Sequence, residues 1–251
     1  MRLTADPRNP AQYFAACGLY ELAASRLPDA TACWTSGGLN INGMSEDDSQ
    51  QLIRDFAQAE LVPDADWTGE ETVRPYVLRA PSAQISIAMD WWERPEGGNS
   101  FWKCFGGKQK STDASRLLAA ARALCESATP ENLFQLNLPL TGRLGFDPRS
   151  AWNAIDVGFS PNDLDNSYKA TPTYPFAELL AAIAIQRWPF RPQRKGCTYC
   201  TWRTAVPLAL ARIHAIGDVG ARYTFLRASR GQGISSFTYS RPTSSSKENR
   251  P

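Results

Sequence analysis

The chain has 251 residues, 43% of them hydrophobic and 11% aromatic, a composition that supports a packed core and excludes a wholly disordered chain. The formal net charge is only +2, yet residues 171–251 carry 12 Lys and Arg against 3 Asp and Glu, while residues 1–170 carry 15 against 22. A balance of +9 over the last third and −7 over the rest points to an anionic partner for the basic part.

In chain order, Asn9-Pro10-Ala11-Gln12 predicts a helix start, with an N-cap, proline at N1 and a glutamine three residues after the cap. The helix continues to about Arg26 and is apolar on most sides. Gly18 in its middle costs about 1 kcal/mol relative to alanine, which argues for a close backbone approach there. Trp34 to Ile41 reads as a strand. Ser45-Glu46-Asp47-Asp48 opens a second helix with acids where the dipole favours them. Residues 73–78 and 84–89 read as paired strands, and the clearest amphipathic helix runs from about Ser111 to Ser127. Residues 138–173 hold few periodic signals and read as loop-rich. A buried helix from Pro175 to Arg187 follows, then a proline-broken basic loop over 189–196. The strand-like stretch 197–204, a helix to about His214 and two strands, 222–227 and 234–239, complete the order. The tail from Arg241 reads as disordered. The irregular alternation predicts an α+β fold of mixed or antiparallel sheets with packed helices. It divides into two lobes, residues 1–137 and 138–240, followed by the tail 241–251.

The candidate chemistry is sparse. With no run of 18 apolar residues, no membrane span is expected. The N-terminus lacks the apolar stretch of a secretory signal, and six scattered cysteines do not resemble a disulfide framework, so a reducing, cytoplasmic compartment is expected. One histidine cannot build a two-His metal site. Cys197-Thr198-Tyr199-Cys200 lacks a second cysteine pair. On a strand its two thiols would point to opposite faces, so no metal is expected there. Gly106-Gly107-Lys108 departs from the P-loop pattern, because Gln109 follows the lysine and Trp102 stands where the first glycine belongs. Lys103, Lys108 and Lys110 remain candidates for a backbone phosphate. His214 reads as a complement to a helix C-terminus. Of Asp147, Asp156, Asp163 and Asp165, only Asp163 and Asp165 stand two residues apart; these two flank a turn, Asp147-Pro148 is a turn former, and the group reads as structural. No cofactor and no catalytic residue is expected.

The basic third is the informative part. Arg187, Arg191, Arg194, Lys195, Arg203, Arg212, Arg222, Arg227 and Arg230 are opposed only by Asp218, although ordinary surfaces intersperse both signs. Trp188, Phe190, Tyr199, Trp202, Tyr223 and Phe225 lie among them. Cations meet phosphates and rings stack on bases, so this interleaving suits a nucleic-acid strand.

Four segments carry a family resemblance: Asp6-Pro7-Arg8-Asn9-Pro10-Ala11-Gln12-Tyr13-Phe14-Ala15-Ala16-Cys17-Gly18-Leu19; Asp90-Trp91-Trp92 with Lys103-Cys104-Phe105-Gly106-Gly107-Lys108-Gln109; residues 142–154, Gly142-Arg143-Leu144-Gly145-Phe146-Asp147-Pro148-Arg149-Ser150-Ala151-Trp152-Asn153-Ala154; and Ser229-Arg230-Gly231-Gln232. Over nearly all the chain except the tail, it resembles small CRISPR-associated proteins of type I-U (now I-G) systems, the third of the three Csb families. Cys104, Phe105, Gly107 and Lys108 depart from that family's pattern. The resemblance implies a non-catalytic, nucleic-acid-binding subunit of a crRNA-guided DNA surveillance complex. It would take the place of the large subunit in PAM and target recognition and in recruiting the helicase-nuclease. Its partners would be crRNA, target DNA, the other Cascade subunits and that helicase-nuclease. Arg187, Arg191, Arg194, Lys195, Arg203 and Arg230 would contact phosphates, and Arg149, Trp152 and Asn153 would lie near RNA, DNA or a neighbouring subunit. The alternatives are an interaction subunit that touches only protein, and a nuclease using the carboxylates between Asp147 and Asp165.

Overall fold

The computed structural model describes the chain apart from residues 67, 69–73, 81–84, 91–109, 141–142, 151–170, 194–195, 230–234 and 244–251. The fold is α+β, and among the described residues every strand pairing is antiparallel. Two helices lie at its centre, α1 (Pro10–Arg26) and α4 (Pro175–Arg187). Both are apolar all round, the pattern of a helix enclosed on every side, and each is buried over most of its length. They meet at the glycine singled out by the sequence. A Cβ on Gly18 would lie 2.1 Å from the Leu180 carbonyl oxygen, so only glycine permits this approach.

The start of α1 is capped as expected, with the Asn9 side chain accepting from the N–H groups of Ala11 and Gln12. The glutamine differs from a capping box. The Asn9 N–H already donates to the Asp6 carbonyl, and the Gln12 side chain instead accepts from the Asp6 N–H at 2.8 Å.

Three sheets surround these helices, together with a two-stranded ladder of β7 (Leu138–Leu140) and β8 (Thr171–Thr173). The first sheet has the order β1-β3-β2-β11, with β1 (Arg2–Thr4), β2 (Thr31–Thr35), β3 (Gly38–Asn42) and β11 (Val206–Pro207). The single strand expected over 34–41 is therefore a hairpin. Gly38 adopts φ +135°, which a side chain would resist, and a Cβ there would strike the Leu3 carbonyl oxygen. Helix α2 (Glu46–Ala57) begins at Ser45, whose hydroxyl accepts from the Asp48 N–H. The second sheet joins β4 (Glu60–Pro63), β5 (Tyr76–Ala80) and β6 (Ile85–Met89), and α3 (Lys110–Leu124) packs on α4.

The third sheet has the order β9-β10-β12-β13, with β14 also on β12. Its strands are β9 (Arg191–Gln193), β10 (Gly196–Cys200), β12 (Arg222–Ser229), β13 (Ser235–Phe237) and β14 (Arg241–Thr243). Part of the expected basic loop is thus a strand, and so is the start of the expected tail. Arg241–Thr243 pairs with Arg222–Thr224, and the Thr224 and Thr243 hydroxyls bond at 3.0 Å. Helix α5 (Leu208–Ile216) links the first sheet to the third. The boundary expected at residue 137 falls within one hydrophobic cluster, which holds Tyr13, Leu52 and Leu117 together with Leu180, Tyr199 and Phe225. Among the described residues, no helix is long and apolar enough to cross a membrane.

Candidate nucleic-acid interface

Side chains alternate across a strand, so the third sheet has two chemically different faces. On β12 the inward residues are Tyr223 and Phe225, and Phe225 is fully buried. On β10 they are Cys197 and Tyr199. These rings pack on α1: Tyr13 stacks on Tyr199 with centroids 3.9 Å apart, and Phe14 meets Phe225 edge-on. The other face carries Arg191 on β9, Thr198 on β10, Arg222, Thr224 and Leu226 on β12, and Arg241 and Thr243 on β14, as the registers require. Arg191, Leu226, Arg241 and Thr243 are exposed, Arg222 and Thr224 half-buried, and Thr198 buried between them. Hydroxyls run across this face, Thr198 to Thr224 at 2.8 Å and Thr224 to Thr243 at 3.0 Å.

This arrangement corrects the expected stacking platform. Trp188, Tyr199, Trp202 and Phe225 are at most 2% exposed, and Trp188 stacks on Trp202 in the core. Over residues 222–226 of β12 the interleaving separates into Tyr223 and Phe225 inside and Arg222 outside, because strand alternation and the core's demand for large apolar groups act on the same residues, while Arg227, two residues after Phe225, falls on the inner side and is half-buried. The face left outside offers guanidinium and hydroxyl donors, the groups that hold phosphates.

One carboxylate tempers it. Asp218, exposed, pairs with Arg191 at 3.6 Å and with Arg222. Arg241 has no ion pair among the described residues. Arg203, in the exposed segment after β10, has none either. Arg187 lies elsewhere, at the end of α4, 4.0 Å from Glu21 of α1. Arg212 of α5 holds the same carboxylate with both Nε and Nη2, at 2.6–2.8 Å. Two cations of the basic third therefore bind α4 and α5 to a buried acid of the acidic part.

Arg149 is also engaged internally. Its Nε and Nη2 grip the fully buried Asp147, Nη1 reaches Gln135, Nη2 also reaches the Phe134 carbonyl, and its guanidinium lies 3.5 Å from the centre of the Tyr174 ring. Its donors leave little for a phosphate. Lys110 is the first residue of α3. Arg194, Lys195, Arg230, Lys103, Lys108, Trp152 and Asn153 lie outside the described residues, as do Asp156, Asp163 and Asp165. Arg241 was missed by the sequence reading, which assigned it to the tail. The alternation Arg222-Tyr223-Thr224-Phe225 is the signal that separates this sheet's two faces.

Asp147 does precede a turn, Pro148–Ser150, and is also part of a buried polar cluster. It accepts from the Asn9 amide at 3.0 Å, and its backbone N–H and that of Phe146 donate to the Glu178 carboxylate of α4, each at 3.1 Å. Burial, and then the nearby Asp147 charge, push the Glu178 carboxyl up to about 7 against the hydrogen bonds and Arg143 that favour its anion. The unfolded value is near 4.5, so between these two pH values the folded chain keeps a proton that the unfolded chain releases. Stability from this group is then fully present below the lower value and falls as pH rises to the upper one, by at most about 1.4 kcal/mol per pH unit. Chemical denaturation across that window is expected to show this decline in the parent chain and a shallower one in Glu178→Gln, where Asp113, pushed up to about 6 by burial, still contributes. Equal slopes in both would contradict the assignment.

The five described cysteines form no disulfide. Cys17, Cys33, Cys125, Cys197 and Cys200 are free, and burial pushes the Cys197 thiol up to about 12, far from a reactive thiolate. Among the described residues no group of three or more His, Cys, Asp or Glu side chains could hold a metal ion. His214 lies in the last turn of α5 as expected. The chain matches no protein-family model, no curated protein and no solved structure.

Proposed function

We propose that this chain is a non-catalytic nucleic-acid-binding subunit of a crRNA-guided DNA surveillance complex of type I, working in the cytoplasm. In this reading the outward face of the third sheet lies against a phosphate backbone. The observation that carries it is the sorting of one strand set into an apolar face on α1 and an arginine–threonine face toward solvent. The motif segments 6–19 and 142–154 supply the assembly, through the family they resemble. PAM and target recognition and recruitment of a helicase-nuclease follow from the same resemblance.

Asp218 gives a test that a purely structural role would not pass. It is 67% exposed and occupies Arg191 and Arg222, so Asp218→Asn frees two guanidinium groups at little cost to the fold. The expected result is several-fold tighter binding of a DNA duplex or single strand to the purified chain at low salt, measured by fluorescence anisotropy. Unchanged or weaker binding would count against the face. A subunit that touches only protein is a second reading. It is favoured by Leu210 and Ile213 on α5 and by Val219 after it, which are 46%, 60% and 53% exposed. Crosslinking to neighbouring subunits but to no nucleic acid would select it.

A further inference from the structure

A groove of about 480 Å³ lies where the approach to α1 meets the turn after β2, the loop at Gln135 and the segment at Tyr239. That volume is in the range of small-ligand pockets. Its walls are polar, and their hydrogen bonds are incompletely used. Gln12 is only 3% exposed. Its Oε1 accepts from the Asp6 N–H at 2.8 Å, and no partner for its Nε2 lies among the described residues. That Nε2 is not sealed from the groove, so an acceptor entering there can meet it. Gln135, exposed on the opposite wall, has its Oε1 taken by Arg149, and no partner for its Nε2 lies among the described residues. Arg8 is aimed by a two-point contact of Nε and Nη2 with Asp6, which leaves Nη1 unused. Over the same groove stands Tyr239, 49% exposed and one of the few large hydrophobic side chains left at the surface.

These groups form a set. A half-exposed ring offers a stacking surface, two amides offer donors for the edge of a planar heterocycle, and a carboxylate-oriented guanidinium offers an anion site. We infer that the groove binds one nucleotide unit, with the base on Tyr239, its edge against Gln12 and Gln135, and the phosphate on Arg8. A free mononucleotide and an unpaired nucleotide of a strand share this chemistry. The inference goes beyond the sheet face, since the two surfaces use different residues and different elements.

The test titrates the full chain with each of the four nucleoside monophosphates and with a short 5′-phosphorylated single strand. Tyr239→Ala and Arg8→Ala are expected to weaken binding about tenfold or more, the magnitude of one lost stacking or phosphate contact. Tyr239→Phe, which keeps the ring, is expected to bind as the parent does, and thermal midpoints should stay unchanged. Tighter binding of the single strand than of any mononucleotide assigns the groove to an unpaired nucleotide, and the reverse assigns it to a free one. Arg191→Ala with Arg241→Ala is expected to leave mononucleotide binding intact. Absence of binding by every probe, equal binding by the Tyr239→Ala and Arg8→Ala variants, or loss only in the sheet variants would overturn the inference. A groove filled by water alone gives the first of these results. Unchanged strand binding in the Arg191→Ala, Arg241→Ala variant, with binding weakened in the groove variants, would instead sink the sheet-face reading and leave this one standing.

Discussion

Gly18→Ala is expected to destabilise the protein by about 3 kcal/mol, the upper part of the range for overpacking a well-filled core. The sign is the informative part. In an exposed helix interior this substitution gains about 1 kcal/mol, because alanine has the higher helix propensity. Here the new methyl carbon would sit 2.1 Å from the Leu180 carbonyl oxygen, a backbone atom on the facing helix. Relief requires α1 and α4 to separate, and these helices share more contacts than any other pair of elements. Their separation would loosen the Tyr13–Tyr199 stack and so the inner face of the third sheet. Urea unfolding of the variant should show a midpoint well below that of the parent. A midpoint equal to or above it would mean that α1 and α4 do not approach as described.

The triple variant Arg191→Ala, Arg222→Ala and Arg241→Ala is expected to weaken nucleic-acid binding by about a hundredfold near physiological salt, if each cation gives about 1 kcal/mol at a phosphate. The fold should tolerate it. Arg191 and Arg241 are exposed, Arg222 is half-buried, and the only described carboxylate among them is the exposed Asp218. Surface pairs of this kind contribute at most about 1 kcal/mol to stability. By contrast, Arg187→Ala with Arg212→Ala strips the buried Glu21 of its partners. It is expected to cost about 3 kcal/mol of stability without a comparable direct effect on binding. The two sets therefore separate the internal cations of the basic third from those that face outward. Similar losses of affinity in both, at equal stability, would erase that distinction.

Local signals predicted local structure well. The Asn9 and Ser45 caps, the proline-started helix from Pro175 to Arg187 and the close approach at Gly18 all depend on neighbouring residues or on one steric fact, and each is present. The features that went astray depend on distant segments. Nothing near Arg241 marks it as a strand residue, since its pairing is supplied by β12. Nothing near Arg212 shows that a carboxylate lies in wait, because Glu21 is far away in sequence; Asp147 stands two residues before Arg149, but its burial is set by the distant Asn9 and Glu178. The aromatic residues of the basic third were correctly noted as grouped with cations, but grouping in sequence is not grouping in space. In a strand of period two, interleaved residues part to opposite faces. That one rule turns an apparent stacking platform into a core with a basic outer surface.

The central claim is that the outward arginine–threonine face meets phosphates, and counterion release tests it most directly. The affinity of the full chain for a DNA duplex and for a single strand would be measured over a series of salt concentrations, for the parent and for the Arg191, Arg222 and Arg241 variant. Each phosphate contact adds about 0.9 to the slope of log affinity against log salt on duplex DNA and about 0.7 on a single strand. The predicted result is a steep slope in the parent and a slope shallower by about two to three in the variant. A parent slope near zero, or the same slope in both proteins, would contradict it.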